Sequence, residues 1–146
     1  MSRSILIIDD EEPIAWALRR AFERVGHKVA VAANAEDGLS QAKRHPPDVV
    51  FLDVRLPGMD GLTALGKLRH IAPNTAVIVI TAHGSLDTAV QAVAGGAFDY
   101  LAKPFELAQA MDAVQRALSR SVTVAPVEVL DNGDANPDAI IGKSPV

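Results

Sequence analysis

The chain has 146 residues, 49% hydrophobic and 22% charged, with a formal net charge of −4; this is enough to form one domain's core plus a short extra segment, and it excludes wholesale disorder. The absence of cysteine removes disulfide scaffolds, thiolate zinc sites and cysteine nucleophiles together, and the nearly neutral body shows no basic stripe of the kind that nucleic-acid contact needs. No apolar run approaches the roughly 20 residues of a spanning helix, and the apolar stretch after Met1-Ser2-Arg3-Ser4 is too short for a secretory signal, so a soluble cytoplasmic chain is expected.

Residues 5–8 are continuously apolar, as a strand covered on both faces should be. A helix follows, with Ile14, Leu18, Ala21, Phe22 and Val25 at helical spacing and Gly26 as its stop. Glu11 and Glu12 read as acids of its first turn, beside Pro13. Trp16 lies about 160° round the helix from the apolar stripe, so it should be partly exposed near the acidic strand end. Residues 29–33 give a second strand, and Asn34 reads as the N-cap of a helix carrying Leu39 and Ala42 inward. Residues 49–52 give a third strand, and the helix after Asp60 has Leu62, Leu65 and Leu68 on its apolar face. A fourth strand at 76–80 precedes a helix with Leu86, Ala89, Val90, Val93 and Ala94 at helical spacing, closed by Gly95-Gly96. A fifth strand at 98–102 precedes a helix lined by Leu107, Ala110, Met111, Val114, Ala117 and Leu118.

After Arg120 the composition changes. Glu128, Asp131, Asp134 and Asp138 face only Lys143, and Pro126, Asn132-Gly133 and Asn136-Pro137 are turn and linker chemistry. The five strand–helix units call for an α/β fold with a parallel sheet between two helix layers. Right-handed crossovers make it doubly wound, in the flavodoxin-like order 2-1-3-4-5.

Ligands of such sheets bind beyond the carboxyl ends of the strands. Asp9 and Asp10, Asp53, Thr81 and Lys103 each follow directly on an apolar run and should meet at that rim. Singly, each has an ordinary use: a solvated loop acid, a cap, a surface lysine. Together they form a constellation with chemistry. Three converging carboxylates repel one another unless a cation joins them, and an oxygen-only ligand set suits Mg²⁺. Asp53 can act as a nucleophile toward phosphorus, Mg²⁺ and Lys103 neutralise charge, and the Thr81 hydroxyl bonds a phosphoryl oxygen. No base for activating water stands beside Asp53, which favours a persistent phosphoaspartate and hence a switch. Two other readings compete. An aspartate-dependent phosphohydrolase wants a second acid two residues beyond its nucleophile, where this chain has Arg55. A flavin or nucleotide binder wants a glycine- or hydroxyl-rich loop after the first strand, where this chain has Asp9-Asp10-Glu11-Glu12. The scattered His27, His45, His70 and His83 have no ligand spacing.

Residues 3–120 resemble the receiver domains of bacterial two-component response regulators. The resemblance rests on Ile7-Ile8-Asp9-Asp10-Glu11, the stretch Leu52-Asp53-Val54-Arg55-Leu56-Pro57-Gly58-Met59-Asp60-Gly61, Thr81-Ala82 and Lys103-Pro104-Phe105. It implies a phosphoacceptor at Asp53, with Mg²⁺ held by Asp9, Asp10, Asp53 and the Arg55 backbone carbonyl. It also implies Thr81 and Tyr100 as a switch pair, Lys103 as the phosphate-binding lysine, a small Ala82 that admits the phosphodonor, and a cis Lys103-Pro104 bond. Such a domain signals rather than catalyses turnover, and takes its phosphoryl group from a sensor histidine kinase.

The stretches from Thr81 to Val90 and from Gly96 to Phe105 are similar to the nitrogen regulator C subfamily of sigma-54 activators. On that resemblance residues 1–120 are the receiver, 121–138 a flexible acidic linker, and 139–146 the truncated start of an AAA+ ATPase domain. These residues contain no phosphate-binding loop and no helix-turn-helix. The implied partners are the kinase, the ATPase of a full-length chain, and a second copy docking through the fourth helix, fifth strand and fifth helix. Neither nucleic acid nor membrane is implied for this piece. The short, alanine-rich fourth helix is the element that phosphorylation is expected to remodel, with Tyr100 turning inward.

Overall fold

The computed structural model describes residues 3–56, 58–82 and 86–122. The elements run β1 (Ser4–Ile8), α1 (Glu12–Arg24), β2 (Lys28–Ala32), α2 (Ala35–Arg44), β3 (Val49–Asp53), α3 (Gly61–Ile71), β4 (Ala76–Thr81), α4 (Leu86–Ala94), β5 (Asp99–Ala102) and α5 (Leu107–Val122). The strands are parallel, as the alternation of elements predicts, and run in the expected flavodoxin-like order β2-β1-β3-β4-β5. The last helix passes the expected receiver boundary at 120 by two residues. The remainder of the linker and the 139–146 segment lie outside the described residues, as do His83 and Pro57.

Strand side chains alternate between two cores, because successive residues point to opposite faces. Ile5, Ile7, Val49, Phe51, Ile78 and Ile80 pack with Leu18 and Phe22 of α1 and Ala113, Val114 and Ala117 of α5. Leu6, Ile8, Val50, Leu52, Val77 and Val79 face the other way, onto Ala42, Ala64, Leu65, Leu68 and Ala92 of the remaining helices. Phe22 and Phe51 stack with ring centroids 5.5 Å apart, tying α1 to the central strand. Among the described residues no helix is long and apolar enough to cross a membrane.

The local stops and starts follow the sequence. Gly26 has φ +94° just after α1, a conformation that L side chains rarely adopt. The side chain of Asn34 accepts the Asp37 N–H at the start of α2, and that of Asp60 accepts the Thr63 N–H at the start of α3. Gly61 is required for a different reason. A Cβ there would stand 2.2 Å from Val54 Cα and 2.7 Å from the Asp53 carbonyl oxygen, so only glycine lets α3 begin directly against the end of β3.

Three expectations need correction. Val25 stands at the C-cap of α1 rather than on its buried stripe, and is exposed. On α4 it is Ala89 and Ala92 that are buried, while Leu86, Val90 and Val93 face outward. The small side chains let the helix sit close to the sheet, which leaves its larger residues on the far side. Leu107, the first residue of α5, is also exposed. Trp16 is exposed as expected, but the contact its ring makes is with Arg20, whose guanidinium carbon lies 5.1 Å from the ring centroid.

Candidate functional site

Strand register brings the chemistry together. Ile8 pairs with Leu52, Asp53 with Ile80, and Thr81 with Ala102, so four strands end level at one rim. The turns leaving them are pinned by backbone bonds: Asp9 N–H to the Ala32 carbonyl, Val54 N–H to the Ile80 carbonyl and Lys103 N–H to the Thr81 carbonyl. Asp9, Asp10, Asp53, Thr81 and Lys103 therefore gather where the parallel topology predicts.

Asp9 and Asp53 are only 2% and 3% exposed, whereas Asp10 is open to solvent. One carboxylate oxygen from each of the three can be chosen so that all lie within 4.8 Å of one another. Each buried acid is held by a backbone donor two residues on: Glu11 N–H to Asp9 Oδ1 at 2.9 Å, and Arg55 N–H to Asp53 Oδ1 at 2.8 Å. Arg55 thus reaches the site through its main chain while its side chain is exposed. Lys103 Nζ bonds Asp53 Oδ2 at 2.9 Å, stands 3.7 Å from Asp9 Oδ2, and contacts Glu11 Oε1.

Asp9 Oδ2 is buried without a hydrogen-bond partner. Such an orphaned, desolvated oxygen is destabilising unless something binds it. A hard divalent cation supplies what is missing, because it takes carboxylate oxygens and offsets their repulsion. Asp9, Asp10 and Asp53 fit Mg²⁺ on this ground.

Electrostatics agree. Burial, and then the neighbouring charge of Asp53, push the Asp9 carboxyl up to about 6, against the lowering effects of the Glu11 N–H and Lys103. The sign follows by linkage. A carboxyl that holds its proton more tightly when folded loses stability as pH rises from its unfolded value to its folded one. Asp9→Asn is therefore expected to raise metal-free stability by about 2 kcal/mol at pH 7.5, with the gain fading toward about pH 4. Urea denaturation in EDTA at the two pH values is the measurement.

Thr81 is buried, with its hydroxyl donating to the Leu101 carbonyl at 3.5 Å. Tyr100, one residue earlier on β5, is 39% exposed. The proposed switch pair thus has its hydroxyl tethered across the strands and its ring outside. Lys103-Pro104 is cis, as the resemblance implies. Glu11, expected as an acid of the first helical turn, is instead the extended N-cap residue of α1. Its side chain makes no capping bond at α1 and turns instead to Lys103. Only its position, directly after two strand-end aspartates, signalled this.

Comparison with known proteins gives a consistent picture. The receiver domain of response regulators matches residues 5–115. The DNA-binding transcriptional regulator NtrC of Escherichia coli K12 is 40% identical over 147 residues, 99% of this chain and 31% of that protein. This chain thus spans under a third of that relative's length. Sporulation initiation phosphotransferase F of Bacillus subtilis 168 is 37% identical over 118 residues, covering 81% of this chain and 95% of that protein. Among solved structures, a CheY-like response regulator receiver domain protein from Methanospirillum hungatei JF-1 aligns with a TM-score of 0.81 at 26% identity, over 86% of this chain and 100% of that one. With the parallel sheet, the acidic cluster and the Asp53–Lys103 pair already in place, the chain belongs to the response regulator receiver domain family.

Proposed function

We propose that Asp53 takes a phosphoryl group from a phosphohistidine of a sensor kinase and holds it as a signal. A carboxylate oxygen of Asp53 attacks phosphorus, the P–N bond breaks, and the released imidazole is protonated from solvent. The product is an acyl phosphate on Asp53. The observation that carries this reading is Lys103 Nζ on Asp53 Oδ2 beside an acidic cluster with one orphaned oxygen. Asp9, Asp10, Asp53 and the Arg55 carbonyl would hold Mg²⁺, which when bound neutralises charge on the carboxylates and on phosphoryl oxygens. Lys103 supplies a cation for a phosphoryl oxygen, and Thr81 supplies a hydroxyl to it when the bond to Leu101 is given up. A hollow of about 540 Å³ lined by Ile14, Ala17, Phe105 and Leu107 opens beside Lys103, a place for the donor protein to rest.

The output face is α4 with β5 and α5. Leu86, Val90 and Val93 at helical spacing, with Tyr100, make an exposed apolar strip suited to a second copy of the chain. In a longer protein like NtrC, this face and the linker would pass the signal to an AAA+ ATPase in the cytoplasm and so to transcription.

Acetyl phosphate with Mg²⁺, followed by intact-mass measurement, tests the reading. One lasting phosphoryl group per chain is expected, lost when EDTA replaces Mg²⁺; no uptake by well-folded protein would overturn it. Amide exchange with beryllium fluoride should show altered protection at residues 86–105. Unchanged protection with Asp53 occupied would remove the α4–Tyr100 relay.

A further inference from the structure

Lys103 carries more acid than its assigned partner. Its ammonium meets Asp53 Oδ2, Asp9 Oδ2 and Glu11 Oε1, and these three differ in kind. Asp9 and Asp53 are buried and belong to the carboxylate cluster that fits a cation. Glu11 belongs to neither category. Its side chain is 53% exposed, and it reaches Lys103 from the solvent side across the lip of the hollow between α1 and the segment after β5. A metal ion held by the cluster would offset Asp9, Asp10 and Asp53, leaving Glu11 as a negative charge at the mouth of the site.

We infer that Glu11 is an electrostatic brake on phosphorylation, holding the Lys103 ammonium against a rival for it, the incoming phosphoryl group. An ammonium has three N–H donors and a flexible stem, and Glu11 occupies one of those donors. A dianionic phosphodonor approaching Asp53 meets the Glu11 carboxylate and must displace it before Lys103 can bond a phosphoryl oxygen. Displacement is easy in conformational terms, because the Glu11 side chain has solvent to move into and no capping bond to break. Its effect on uptake is therefore one of charge and is screened by salt. Glu11 is a positioning residue in this scheme: it acts through Lys103 and leaves the new O–P bond to Asp53.

The inference rests on Asp53 being the phosphoacceptor, and the test keeps the two apart. Wild type, Glu11→Gln and Glu11→Ala are incubated with acetyl phosphate at saturating Mg²⁺, and the initial rate of uptake is read by intact mass at low and high ionic strength. Both variants should take up phosphate about three- to tenfold faster than wild type at low salt. The gap should close to within about twofold near 0.5 M salt. A merely structural role would not produce this salt dependence, nor give Gln and Ala the same direction. Variant rates equal to or below wild type at low salt, with wild type labelled, would overturn the brake and leave the phosphoacceptor reading standing. No label on wild type would overturn both.

Discussion

Asp53→Ala and Asp53→Asn are expected to take up no phosphate at all while remaining folded. Asp53 is the carboxylate that ends the central strand with a lysine ammonium 2.9 Å from Oδ2. Asp9 is also buried, but lies farther from that ammonium, at 3.7 Å. The fold tolerates the loss because Lys103 keeps Glu11 and Asp9 as partners, and because the charge of Asp53 is one of the causes that raise the Asp9 carboxyl. Asparagine also preserves an acceptor for the Arg55 N–H. Stability should therefore stay within about 1 kcal/mol of wild type, a small value for a buried charged site. Intact-mass labelling together with urea denaturation reads both outcomes. Full labelling of Asp53→Ala would show that another group accepts the phosphoryl group.

Lys103→Met should be the most destabilising of these substitutions. Burial alone would pull the lysine pKa down, but its bonds to Glu11 and Asp53, with the charges of Asp53 and Asp9, raise it above the ordinary lysine range. The ammonium is thus charged throughout the accessible pH range and holds together a site dense in acid. Removing one partner of a fully buried pair costs roughly 3–5 kcal/mol. Lys103 keeps 23% of its side chain exposed, so a loss of about 2 kcal/mol at pH 7.5 without metal is the screened expectation. The pH dependence has a definite sign. Without Lys103 the Asp9 carboxyl rises further above its value of about 6, so lowering the pH protonates it and removes its share of the penalty. The destabilisation should shrink by about pH 5 and also on adding Mg²⁺ at neutral pH. A destabilisation independent of both would mean that Lys103 acts through packing of its stem alone.

The fold and the membership of the site were legible from the sequence because both rest on local signals. Ile5–Ile8, Val49–Leu52 and Ala76–Ile80 are strands by continuous apolarity, and their alternation with helices calls for a parallel sheet between two helix layers. In such a sheet the residue after each strand arrives at the same rim, so topology alone groups Asp9, Asp10, Asp53, Thr81 and Lys103. Two features were not legible. On α4 the sequence offers a valine stripe and an alanine stripe side by side, and periodicity alone does not choose between them. The close approach of the helix to the sheet buries Ala89 and Ala92 and turns Val90 and Val93 outward. Glu11 and Glu12 are likewise identical residues at one helix start. Their chain separation from Lys103 is near 92 residues for both, yet only Glu11 meets it. Glu11 is the extended N-cap residue and Glu12 the first residue of the helix, so the two side chains leave the chain in different directions, and the docking of α1 beside the segment after β5 decides which of them faces the lysine. The sequence by itself determined which residues meet at the strand ends; only the tertiary structure decided which faces and which acid turn toward them, because helix rotation and docking depth are set by packing between elements far apart in the chain.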